Sequence, residues 1–85
     1  MATTFHTTVA KNVSQTQRHE AIDALVRADK TANLGVLVRM DGLRVEFRRH
    51  ALDGLADCNA TTALAELAND TAIEPSLRRR AGELA

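Results

Sequence analysis

Three residues with metal-binding or anion-binding side chains are adjacent near the start of the chain: Arg18, His19 and Glu20. Imidazole and carboxylate groups bind transition metals, and a guanidinium binds carboxylate or phosphate through paired hydrogen bonds. The residues open the stretch RHEAIDAL, whose apolar positions have helical spacing. Because neighbours on a helix diverge by about 100°, one His-Glu pair is a poor metal site. We expect a solvated first turn of a helix.

His50 and Cys58 are the other candidate zinc ligands. No further Cys or His at short spacing completes a tetrahedral set around them. Nucleophilic catalysis has no support because the chain lacks a Gly-x-Ser-x-Gly motif. The four glycines are scattered, so no phosphate-binding loop is indicated. The sequence therefore predicts no enzymatic activity, no metal and no cofactor.

The charge composition limits the classes of partner. The 85 residues include 11 basic and 11 acidic side chains, a formal net charge of zero. This argues against a large basic surface for nucleic acid or membranes. All basic residues except Lys11 and Lys30 are arginines.

The chain has one cysteine, Cys58, which excludes an internal disulfide and is typical of a protein from a reducing compartment. No apolar run is long enough to span a membrane. The first residues lack the charged-then-apolar order of a signal peptide. We therefore expect a soluble, cytoplasmic protein.

A chain of this length forms one domain. Residues 1–13 are rich in threonine and lack helical periodicity, which predicts a flexible N-terminal arm before a domain over 14–85. Ser14 and Gln17 match a capping box at a helix start. Pro75 suits the first turn of the last helix, and Gly42 suits the left-handed position after a helix.

Side-chain caps are expected at two further helix starts. The candidates are Thr31 or Asn33 for the second helix, and Asn59 or Thr61 for the fourth.

The segment around Asp41-Gly42 has two interpretations. LGVLVRM-DG-LRVEFRR resembles a β-hairpin, because Asp-Gly separates two valine-containing runs. However, apolar residues continue at spacings of three and four beyond it, which favours a helix over about 44–56. We predict an all-α domain of about five helices. The alternative is an α+β helix-turn-helix or winged-helix-like domain with a hairpin near 34–48.

The opening stretch returns at intervals of thirty residues. RHEAIDAL is followed by RRHALDGL at 48–55 and by a weaker copy, RRRAGELA, at 78–85. A helix pair of this size cannot bury its own apolar face, whereas stacked copies bury it against each other. The aligned positions are an arginine column (Arg18, Arg48, Arg78), an alanine column (Ala21, Ala51, Ala81) and an acid column (Asp23, Asp53, Glu83).

The pattern R-R-x-A-[LI]-[DE]-x-L with a short second helix resembles the HEAT-like repeat in its form of about thirty residues. The resemblance covers residues 14–85 and implies a fragment of an α-solenoid, a class that commonly forms scaffolds or recognition surfaces. One enzymatic branch, the deoxyhypusine hydroxylases, binds two irons through repeated His-Glu pairs. Here only His19-Glu20 matches, because the equivalent residues are Arg49-His50 and Arg79-Arg80.

The arginines are the remaining candidates for function. They can pair with acids, either four residues along the helix, as Arg49 with Asp53 and Arg79 with Glu83, or in the acid column of the next repeat. Alternatively they form a basic ridge that binds an acidic partner or a nucleic-acid backbone. The candidate binding residues are Arg18, Arg44, Arg48, Arg49, Arg78, Arg79 and Arg80.

Two functions follow from these patterns. We expect a non-enzymatic protein-interaction or adaptor module, whose partner is another protein or a second copy bound through apolar ends of the stack. The alternative is a helix-turn-helix DNA-binding regulator in which Arg44, Arg48 and Arg49 face the major groove.

Overall fold

A computed structural model describes residues 14–85 as five α-helices without a strand. The all-α prediction is confirmed over these residues, and the hairpin near 34–48 is wrong because the apolar spacing of three and four continues through it. The predicted arm, 1–13, lies outside the described residues. The helices are α1 (Gln15–Arg27), α2 (Thr31–Val38), α3 (Val45–Asp57), α4 (Thr61–Ala68) and α5 (Pro75–Leu84).

The thirty-residue repeat is visible in the helix bounds. Helices α1 and α3 have 13 residues each and start thirty positions apart, and α2 and α4 have eight each with the same offset. Backbone hydrogen bonds follow the same register, since Lys30 N–H donates to Leu25 and Ala60 N–H donates to Leu55, at 2.9 and 3.0 Å. Residues thirty apart therefore occupy equivalent places, here called repeat positions.

Helix α3 lies at the centre and contacts the other four helices. Its apolar stripe includes Phe47, Leu52 and Leu55, all fully buried, and the small Ala51 at the repeat position of buried Ala81. These residues join the leucines of α2, α4 and α5 in one core. Because α3 touches every other helix, its polar residues are the ones that meet neighbouring helices.

The helix starts agree with only part of the prediction. The capping box is confirmed, since Gln17 N–H donates to Ser14 Oγ at 3.1 Å and Ser14 N–H donates to Gln17 Oε1 at 2.9 Å. Pro75 is in the first turn of α5, as predicted. The predicted side-chain caps of α2 and α4 are wrong: Lys30 and Ala60 are the N-cap residues and make no side-chain cap bond.

The ends of α1 and α3 use residues other than glycine. Asp29 and Asn59 both have φ of 57°, whereas no glycine among residues 14–85 has positive φ, so the prediction for Gly42 is wrong. At each end, two backbone hydrogen bonds close a Schellman motif. Asp and Asn tolerate this left-handed conformation better than other non-glycine residues.

The apolar ends of the stack stay a prediction. Among residues 14–85 the exposed large hydrophobic side chains are Val36 on α2 and Val45 at the start of α3. None of the described helices is long and apolar enough to cross a membrane.

Candidate functional site

Two side-chain bridges join successive repeats at the same repeat position. His50 Nε2 lies 2.7 Å from Asp23 Oδ1, and Arg80 Nε lies 3.1 Å from Asp53 Oδ1. In each, a basic residue of one repeat meets the acid column of the preceding one. The contact with Asp53 raises the pKa of Arg80, first through the hydrogen bond and then through the charge of the carboxylate. The sequence allowed pairing either four residues along one helix or between repeats. At these positions the structure has the pairing between repeats.

The bridges leave two arginines without an acid. Asp53 bonds to Arg80, and Glu83 is 3.9 Å from Arg80, so neither pairs with Arg49 or Arg79 as the helical spacing predicted. Arg49 and Arg79 are exposed and make no ion pair or hydrogen bond with residues 14–85. They share a repeat position on α3 and α5, which pack against each other. We call this pair the arginine ridge.

Arg48 faces the interior. Arg48 is only 6% exposed. Its Nε donates a 2.8 Å hydrogen bond to the carbonyl oxygen of Val38, and its Nη2 lies 3.9 Å from Asp41 Oδ1. A side chain in this position has no access to a DNA groove or a protein partner. Arg18, the first member of the column, is partly buried with its guanidinium 5.5 Å from the ring centroid of Phe47, within cation–π distance.

The other candidate arginines are dispersed. Arg44 is exposed before α3 and its Nη1 is 3.4 Å from Glu46. Arg78 is partly buried near Asp70, whose carboxylate is 3.0 Å from Arg39 Nε. The pKa of Asp70 is lowered, first by the hydrogen bond from the Ala72 N–H and then by Arg39, with a smaller effect of Arg78.

A histidine cluster, formed by His19, His50 and Asp23, joins α1 to α3. The Nδ1 atoms of the two histidines are 2.6 Å apart, while His50 Nε2 contacts Asp23. The ring of His19 packs at 4.8 Å, centroid to centroid, from Phe47. From the sequence alone, His19 and His50 are expected to be separate surface residues. The signal that could have joined them is the repeat, which places them at neighbouring positions of adjacent repeats.

Cys58 and His50 have separate surroundings. The thiol of Cys58 is 3.6 Å from the carbonyl oxygen of Val26. Burial raises the pKa of Cys58, and a hydrogen bond with Asp29 raises it further. Within residues 14–85, no group of three or more His, Cys, Asp or Glu side chains is placed to hold a metal ion.

Comparisons with protein-family models, curated proteins and solved structures find no match to the chain. The resemblance to the HEAT-like repeat therefore depends on the residues of the repeat alone.

Proposed function

We propose that the chain is a non-enzymatic protein-interaction module of the HEAT-like type that binds an acidic segment of a partner along the arginine ridge. The observation that supports this most directly is that Arg49 and Arg79 are exposed and make no ion pair or hydrogen bond with the described residues. A guanidinium can bind a carboxylate through two parallel hydrogen bonds, which gives an acidic segment both affinity and orientation.

The charge distribution favours this surface despite zero net charge. Asp23 and Asp53 are engaged in the bridges between repeats. The acid column is therefore used internally at two positions, while the neighbouring arginine position faces solvent. Because exposed charges are screened by salt, we expect modest, salt-sensitive binding.

The repeated helix bounds support the HEAT-like part of the proposal. Two helix pairs with identical lengths and matching Schellman ends suit a stack of equivalent units. The absence of large exposed apolar residues from α1 and α5 suits a stack with polar ends. We therefore favour a different protein over a second copy as the partner, and place both in the cytoplasm because the one cysteine is a free thiol.

The same geometry weakens the DNA-binding alternative. That prediction used Arg44, Arg48 and Arg49, but Arg48 is buried and Arg44 contacts Glu46. Arg49 alone of the three is exposed and unpaired among the described residues. DNA binding is accordingly treated as one outcome of the experiment.

The experiment is a fluorescence anisotropy titration of a labelled Asp/Glu-rich peptide and of a labelled duplex, each at about 50 mM and about 200 mM salt. The test variant is Arg49→Gln/Arg79→Gln. Its matched control is Arg27→Gln/Lys30→Gln, which removes the same charge from two exposed positions, the last residue of α1 and the N-cap residue of α2. We expect the peptide to bind wild type and the control equally, and the test variant about tenfold or more weakly, a loss of about 1.4 kcal/mol.

Three results would contradict the proposal. They are no peptide binding by wild type at low salt, an equal loss in both variants, and tighter binding to the duplex than to the peptide. If the duplex binds more tightly than the peptide and this binding is lost in the Arg49→Gln/Arg79→Gln variant, the arginine ridge binds DNA.

A further inference from the structure

The histidine cluster brings the ring nitrogens of two histidines into direct contact. Two imidazole nitrogens from different helices, His19 Nδ1 and His50 Nδ1, face each other at 2.6 Å. Only one hydrogen fits between them, so one ring must present a lone pair to the other. Asp23 decides which: its carboxylate accepts the Nε2 proton of His50, which leaves the lone pair on His50 Nδ1.

We propose that His19 and His50 bind one Zn²⁺ through their Nδ1 atoms and thereby link α1 to α3. Imidazole is a preferred ligand of zinc and related divalent transition metals. A carboxylate that accepts the second ring proton of a ligating histidine is the usual outer partner of such sites, because it fixes the tautomer and makes the nitrogen more basic. Asp23 has this place beside His50. Water fills the remaining coordination positions.

Zinc replaces the shared proton. The Nδ1–H bond of His19 breaks and its proton goes to solvent, while Nε2 of the same ring takes up a proton from solvent, so His19 stays neutral in its other tautomer. Each Nδ1 then donates its lone pair to the ion. Zinc–nitrogen bonds of about 2.0–2.1 Å at a tetrahedral angle separate the nitrogens by about 3.4 Å. The rings must therefore part by about 0.8 Å from their 2.6 Å separation. Both side chains are only partly buried, so small rotations suffice.

The charges around the cluster predict a weak site. Arg18 packs over the same Phe47 ring that contacts His19, and Arg49 is adjacent to His50 in the sequence; both disfavour a cation. Two carboxylates favour a cation: Asp23, which contacts His50, and the exposed Glu20, which follows His19 in the sequence. With two protein ligands and one ion, the site differs from a centre built of repeated His-Glu pairs.

The chain offers variants that remove the ligands with little risk to the fold. The repeat positions of His19 are occupied by arginine at 49 and 79, and that of His50 by Arg80, which bridges to Asp53 as His50 does to Asp23. His19→Arg and His50→Arg therefore introduce residues that the same helical position already accepts. His6→Gln is the control, since it removes a histidine that is not one of the two proposed ligands.

The test is thermal unfolding of the full, untagged chain with ZnCl2 or MgCl2, at neutral pH. Zinc should raise the Tm of wild type and His6→Gln saturably, with a folded-to-unfolded ratio about 100-fold higher at 100 times the Kd. Magnesium should not, because it prefers oxygen ligands. Both arginine variants should lose the zinc response. In two-dimensional spectra of the imidazole nitrogens, zinc should shift Nδ1 of His19 and His50 more than Nε2.

The proposal fails if zinc leaves the wild-type Tm and the Nδ1 signals unchanged, in which case the histidines only share a proton. It also fails if His19→Arg or His50→Arg responds to zinc like wild type, because the ion would then bind elsewhere.

Discussion

Arg48 donates a 2.8 Å hydrogen bond from Nε to the carbonyl oxygen of Val38, the last residue of α2. The final carbonyl groups of a helix have no partner within the helix, and a cation suits that negative end. Arg48 is therefore a structural residue that attaches α2 to α3. Sequence alone had grouped it with the exposed arginines.

Arg48→Ala should lower the free energy of unfolding by about 2–3 kcal/mol, because it removes a charge-assisted hydrogen bond and the packing of the side-chain stem. Arg48→Lys should recover little of this, since an ammonium cannot reproduce the planar geometry of the guanidinium. Urea unfolding measures both. Arg49→Ala, at an exposed neighbouring position, should change stability by about 0.5 kcal/mol or less. Equal losses for Arg48→Ala and Arg49→Ala would contradict the structural role.

Gly54 and Gly82 should respond to alanine with opposite signs. A Cβ on Gly54 would lie 2.6 Å from Val26 Cγ2, a branched side chain on α1 that cannot move freely, whereas a Cβ on Gly82 would meet only Ala68 Cβ at 3.9 Å. Overpacking costs about 1–3 kcal/mol, and alanine gains about 1 kcal/mol over glycine in a helix. Gly54→Ala should therefore lower Tm and Gly82→Ala should raise it. Two increases would show that α1 and α3 are less closely packed at this point.

The helices and their repeat could be predicted because both depend on the spacing of apolar residues. Phe47, Leu52 and Leu55 extend the stripe beyond any hairpin strand, and each is fully buried. The bridge from Arg80 to Asp53 was one of two pairings that the sequence allowed. The choice between them depends on how closely α3 and α5 approach, which no spacing within one helix specifies.

The helix ends and the histidine cluster were missed for a different reason. A Schellman end is closed by backbone hydrogen bonds, so it requires no particular side chain at Asp29 or Asn59 that a motif could predict. The contact of His19 with His50 depends on the relative position of two helices. Repeat positions identify the helices as neighbours but do not give the angle between them.

Asp70 should make stability depend on acid pH. Its pKa is lowered from 3.8 by the Ala72 N–H and by Arg39. A lowered folded-state pKa means that the carboxylate contributes its stability in full above the unfolded value and loses it as the pH falls through the folded value. Asp70→Asn should be less stable than wild type at neutral pH, and the difference should shrink below pH 3.8. Urea unfolding across this range measures it.

Arg39→Gln is the companion variant for Asp70. It should remove part of the same pH-dependent stability, since the hydrogen bond from Ala72 remains. A difference between Asp70→Asn and wild type that is constant from neutral to strongly acid pH would contradict the ionised role of Asp70.

Cys58 should alkylate slowly in the folded protein. Burial raises the pKa of its thiol, and the hydrogen bond and negative charge of Asp29 raise it further. Because the thiolate is the reacting species, the rate with iodoacetamide at neutral pH should be several-fold lower than in denaturant. Asp29→Asn should speed the folded-state reaction and keep the left-handed turn, since Asn59 has the same φ of 57° at the equivalent position. An unchanged rate in Asp29→Asn would mean that partial burial alone protects the thiol.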